Sequence, residues 1–359
     1  MTSKTFSDSI EPGVLRIVTR YAGRLASRAL RSTSRKHMFD LRYEKSALLA
    51  LLGASDLGLD TKMIPTVEAF ALGASGWIMQ SEAPIDILPS EDVIRSTSGA
   101  ASTFSNAVTA DSKIYIFQQG VGLLRFDCEY KQWQHLSVFK SKIGVALASF
   151  DGLVFLFAEK KAAQYNPDAE TTTRLPGLKD SRKWATAIGI SGFVFLMGGE
   201  LHGEHEQITR SVARLSLARR KWDVGPPMLV PRVGAASARV KDCIIICGGD
   251  DSSSDDANIA NWNGLSSAEI LQVGSGTQVW VALPNMGAVR DRLSAASSGN
   301  SIFVFGGRAD FVEDDGQRTG ETFSLETRTW QPLPDMRVGR IDFGLVAVRV
   351  HGDSFSETS

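Results

Sequence analysis

Lys142, Arg182, Arg232, Arg292 and Arg340 recur about every 50 residues, each shortly before an apolar run of β type. Guanidinium groups gathered in one place would hold carboxylates, because each planar fork binds one bidentately and is hard to deprotonate. A second stretch with chemical potential is HGEHEQ, where His202 and His205 stand beside Glu204 and Glu206. Two histidines three apart in a flexible loop have no fixed third ligand, so no metal is expected there. The run Asp250, Asp251, Asp255 and Asp256 likewise lacks calcium-loop spacing. Nucleophile-elbow and phosphate-loop motifs and a coherent His and carboxylate dyad are missing, so neither a catalytic residue nor a cofactor is expected.

The elements that must carry these residues are repeats. Apolar runs end in Gly198-Gly199, Gly248-Gly249 and Gly306-Gly307, and the second glycines lie 50 and 58 residues apart. Each is followed by a Trp, at Trp222, Trp280 and Trp330, and then by a turn of the type Pro-x-Met. Weaker copies run from IYIFQQG (114–120) to Trp133, from LVFLFAEK (153–160) to Leu175-Pro176, and from LLALLGAS (48–55) to Trp77. A period near 50 with a diglycine, a downstream Trp and four short β segments marks a propeller array.

On these motifs the chain resembles the Kelch repeat family over roughly residues 46–350. The resemblance implies an all-β, six-bladed Kelch-type β-propeller of four-stranded antiparallel blades, strand A innermost. Both glycines are missing at Ala158-Glu159, so that blade is expected to be distorted. The first unit has no A segment before it, and FGLVAVRV (343–350) is an A-type strand with no B after it. That strand is expected to complete the first blade, closing the ring and removing free sheet edges. Residues 351–359 read as a disordered tail.

Residues 1–45 form a different module, with ten Lys and Arg against four Asp and Glu in a chain of net charge −1. Val14, Ile17, Val18, Tyr21 and Leu25 fall on one helical face and six arginines from Arg16 to Arg35 on another. This basic amphipathic helix could pack on the propeller rim. Alternatively, ALRSTSRKHMFDLRYEKSALLALLGAS is similar to the passage from the BACK region into the propeller of BTB-Kelch proteins, which implies a relative of a ubiquitin-ligase adaptor without the BTB domain. An organelle presequence is opposed by Asp8 and Glu11. Phosphate binding by the arginine stripe lacks interleaved aromatics, so no nucleic-acid partner is expected.

Propeller function sits on loops at one face. The B–C loops carry Glu200, Glu204, Glu206, Asp250, Asp251, Asp255, Asp256, Glu313, Asp314 and Asp315, whereas the D–A loops carry the five basic residues. An acidic rim around a basic centre would suit an acidic peptide loop of a partner protein. The competing reading is that these arginines belong to the Kelch pattern and pair inside the blade. The resemblance implies a non-enzymatic protein-interaction module, plausibly a substrate-recognition adaptor for a cullin ubiquitin ligase, with actin or cytoskeletal scaffolding as the alternative and a sugar epimerase-like enzyme further off. Three cysteines without metal spacing, and no signal peptide or long apolar span, favour a reduced, cytoplasmic setting with the nucleus as the other choice, and no membrane partner.

Overall fold

The computed structural model describes residues 106–347 apart from short loop segments, among them 142–144, 203–206, 253–262 and 310–315, together with the backbone of strands between 45 and 82 and of 348–350. The basic segment 1–44, Trp77, Lys142, Cys128 and the tail 351–359 lie outside the described residues.

Each apolar run of the sequence becomes the second strand of an antiparallel four-stranded sheet, and six such sheets are present among the described residues. Alternation explains the burial: Phe193–Met197, Cys243–Cys247 and Ser301–Phe305 are flanked by strands on both sides and covered on both faces by neighbouring sheets. The innermost strands are Val108–Ala110, Ala146–Phe150, Thr186–Ile190, Ala236–Val240, Ser294–Ser298 and Gly344–Val350. Each touches the next, and Gly344–Val350 touches Val108–Ala110, so the sheets form a closed propeller ring. The core lies between sheets, as in the cluster of Ile245, Cys247, Leu283, Val304 and Phe323.

Both ends of the described chain share one sheet. Gly344–Val350 pairs antiparallel with Lys45–Leu51, with Val346 opposite Leu49 and Val348 opposite Ala47, and Lys45–Leu51 pairs in turn with Thr66–Ala71.

The diglycines are required where two sheets approach. A Cβ on Gly199 would lie 2.6 Å from the Lys183 carbonyl oxygen, and one on Gly307 2.7 Å from that of Asp291; both glycines have φ above +80°. Ala158-Glu159 escapes this demand because its strands are joined by a tight hairpin that pairs Ala158 with Lys161. The expected distortion is therefore limited to Glu159 taking φ +55°, and all four strands of that sheet form.

The tryptophans tie each sheet to the one before. The indole N–H of Trp222 donates to the Pro176 carbonyl (2.8 Å), that of Trp280 to Pro226 (2.9 Å) and that of Trp330 to Pro284 (2.7 Å). Trp133 packs on Phe126 of its own sheet instead.

Candidate functional site

Three arginines occupy one repeated position four residues after an apolar turn residue: Arg182 after Leu178, Arg232 after Met228 and Arg290 after Met286. Each sends Nη1 to the carbonyl of the first diglycine glycine sixteen residues on, which is Gly198, Gly248 or Gly306. Nη1 and Nη2 also reach the carbonyl and hydroxyl of Ser211, Ser267 or Thr319. Arg232 further pairs with Glu269 (3.0 Å) and Arg290 with Glu321 (3.3 Å), carboxylates that also accept backbone N–H bonds from Leu229, Val230, Gly287 and Ala288. Arg340 holds the same position after Met336 and is 0% exposed.

The expected basic ring is thus corrected. Arg182, Arg232 and Arg340 are buried, and the first two tie together carbonyls of their own sheets, so these side chains do not form a surface that a partner protein could grip. Arg290, not Arg292, is the repeated arginine. Burial lowers the pKa of Arg182 and of Arg290 from the usual value, opposed by Asp180 in the first case and Glu321 in the second.

Two residues beyond each of these arginines lies the mouth of the central channel. Trp184, Gly234, Arg292 and Asp342 occupy equivalent positions with φ between +47° and +65°. Their backbones are joined around the ring: Gly234 N–H donates to Trp184 O (3.2 Å), Arg292 N–H to Gly234 O (3.0 Å) and Asp342 N–H to Arg292 O (3.1 Å). A left-handed conformation costs a non-glycine residue roughly 1–3 kcal/mol, and such strain concentrates at functional sites. Three different strained side chains are therefore presented on one rigid scaffold.

Their geometry is specific. The Arg292 guanidinium carbon stands 6.0 Å from the Trp184 ring centroid, and Nη1 is 3.1 Å from Asp342 Oδ2. Trp184 is 38% exposed, while Asp342 is half-buried and its carboxyl is pushed up by desolvation against the pull of Arg292 and Arg308. Asn106 accepts from Ser294 Oγ at the same mouth (3.4 Å), and Thr186 and Ser237 hydroxyls meet one step deeper (2.7 Å). The space at the mouth is about 80 Å³ and open to solvent on one side.

Beneath Arg292, Asp291 and Arg308 form a buried pair (3.0 Å). Desolvation outweighs the attraction of Arg308 and Arg292 and pushes Asp291 up to about 6 from an ordinary 3.8. The folded state therefore holds this proton over pH values at which the unfolded chain has released it, so Asp291's contribution to stability is full below 3.8, declines as pH rises to about 6 and is level above that. Chemical denaturation of wild type and Asp291→Asn across pH 3–7 is expected to show a steeper decline in wild type, since the variant keeps only the contribution of Asp342.

The acidic rim is described in part. Asp250 is buried and accepts from Ser252 and Asn263 N–H, shaping its own loop. Glu200 lies 3.9 Å from Lys183. Glu204, Glu206, Asp255, Asp256, Glu313, Asp314 and Asp315 lie outside the described residues, as does His205. No group of three metal-ligating side chains occurs among the described residues, and no helix there is long and apolar enough to cross a membrane. Burial raises both described thiols, Cys247 to about 12, which leaves them protonated and unreactive.

Trp184 and Asp342 were not singled out by sequence. Aligning the copies on the arginine four residues after Met or Leu would have found them, since each stands two residues further on.

Strand order and ring closure define a β-propeller. The chain carries a Kelch motif, whose family model matches residues 290–337. It is 29% identical over 135 residues to an F-box/kelch-repeat protein of Arabidopsis thaliana, a match covering 37% of this chain and 30% of that one. It is 25% identical over 201 residues to Kelch-like protein 15 of Mus musculus, covering 53% and 32% respectively. The chain thus spans about a third of the length of these curated relatives. A solved structure of YjhT aligns with a TM-score of 0.47 at 13% identity, over 54% of this chain and 65% of that one.

Proposed function

We propose that the protein captures a loop of a partner protein across the channel mouth, with Trp184 as the aromatic anchor and Arg292 as the group that meets an acidic residue of that loop. The observation that carries this reading is the Trp184–Arg292–Asp342 constellation, held in left-handed backbone and half open to solvent. Exposed Trp and Arg are the residues that most often dominate binding energy at such surfaces. Asp342 holds Arg292 in place, so the guanidinium approaches a ligand already oriented.

Trp184→Gly separates this function from folding. Gly234 already supplies a glycine at the sister position, so the backbone loses strain and the melting temperature is expected to stay within about 2 °C. Partner recovery in affinity purification is expected to fall tenfold or more. Unchanged recovery would remove the mouth from the interface.

The proposed setting is substrate recognition for a cullin ubiquitin ligase in the cytoplasm or nucleus, supported by the resemblance of residues 29–55 to the BACK-to-propeller passage and by the Kelch-like character of the relatives. Cullin-complex subunits should then co-purify, and deletion of residues 1–45 should abolish this. Cosedimentation with actin filaments, independent of that deletion, would favour the scaffold reading instead.

A further inference from the structure

In the sheets that begin at Ala236 and Ser294, the repeated arginine meets a glutamate at one fixed place on the third strand. Glu269 lies opposite Ile246 and Glu321 opposite Val304; the matching residue opposite Leu196 is Ala213. Arg182 keeps the carbonyl and hydroxyl contacts of its sisters but has no carboxylate at hydrogen-bond distance among the described residues. It is 7% exposed, and its Nε finds no partner among the described residues. Nε is the atom that Arg232 and Arg290 direct at their glutamates, at 3.1 and 3.4 Å.

The rest of that cradle also has its counterpart here. Leu229 and Val230, and Gly287 and Ala288, donate backbone N–H bonds to the sister carboxylates. The corresponding residues are Lys179 and Asp180, both exposed, so solvent reaches them directly. The Asp180 charge acts on Arg182 through space without a hydrogen bond. What Ala213 lacks relative to glutamate is CH2–COO⁻, which are the atoms of an acetate ion.

We propose that this place, bounded by Arg182 Nε, the Lys179 and Asp180 N–H groups and the Ala213 methyl, binds a free monocarboxylate of acetate size. Its oxygens take the donors that Glu269 and Glu321 satisfy from within the chain in the next two sheets. A buried guanidinium gains more from a charged acceptor than from water, because the surrounding dielectric is low and the bond is charge-assisted.

The test titrates sodium acetate into wild type against sodium methanesulfonate at equal ionic strength. A saturable rise in melting temperature of about 2 °C or more is expected with acetate alone. Ala213→Glu should melt higher without added anion and lose the acetate response. Ala213→Leu, which fills the place with apolar atoms, should lose the response as well and serves if the glutamate variant does not fold. Broadening of ¹³C-acetate resonances should saturate with wild type and vanish with either variant. Equal acetate responses in wild type and the variants, or broadening that never saturates with wild type, would overturn the proposal.

Discussion

Arg232→Ala is expected to lower the unfolding free energy by about 3–5 kcal/mol, the usual cost of removing one member of a buried ion pair. The reason lies in what is left behind. Glu269 would keep its charge in a buried place with only two backbone donors, and the carbonyls of Gly248 and Ser267 would each lose a partner. Arg232 is 1% exposed, so water cannot take over without opening the sheet. In a chain of this size the melting temperature should drop by roughly 10 °C. Arg232→Met combined with Glu269→Leu should be less damaging than Arg232→Met alone, because apolar replacement of both partners leaves no charge uncompensated. Denaturant unfolding of the three variants checks this, and a loss below about 1 kcal/mol for Arg232→Ala would show that the pair is not part of the framework.

Trp280→Ala should cost a similar amount, about 3–5 kcal/mol, for a different reason. Trp280 is buried against Ile190, Phe195, Ile246 and Leu271, residues drawn from two adjacent sheets, so truncation opens a cavity where the blades meet. Trp280→Phe keeps most of the apolar volume and loses the bond to the Pro226 carbonyl, at about 1 kcal/mol. Trp330, more exposed and packed on Phe323, should be the milder site for the same alanine change. Urea midpoints of the alanine variants decide the order.

The repeat was legible wherever geometry admits a single residue type. At Gly199, Gly249 and Gly307 a side chain would strike a neighbouring carbonyl, and at Trp222, Trp280 and Trp330 only an indole both fills the gap between sheets and donates to the preceding turn. Sequence pattern therefore carries the packing of these sheets directly. The channel mouth was opaque for the opposite reason: Trp184, Gly234, Arg292 and Asp342 share a backbone conformation and a hydrogen-bond chain but no side-chain chemistry. The RDR stretch offers two candidates for the repeated arginine, and only the four-residue step from Met286 separates Arg290 from Arg292. Burial then turned a supposed ligand-binding ring into internal cross-links, since a sequence shows a charge but not which carbonyls surround it.

The sheet shared between Lys45–Leu51 and Gly344–Val350 has a consequence for biosynthesis. Lys45–Leu51 leaves the ribosome about 290 residues before its inner partner does. At 5–20 residues per second the nascent chain therefore carries an unpaired strand for roughly 15–60 s. During that interval the newborn protein exposes a sticky margin, and holdase chaperones should engage it until translation has delivered the last strand.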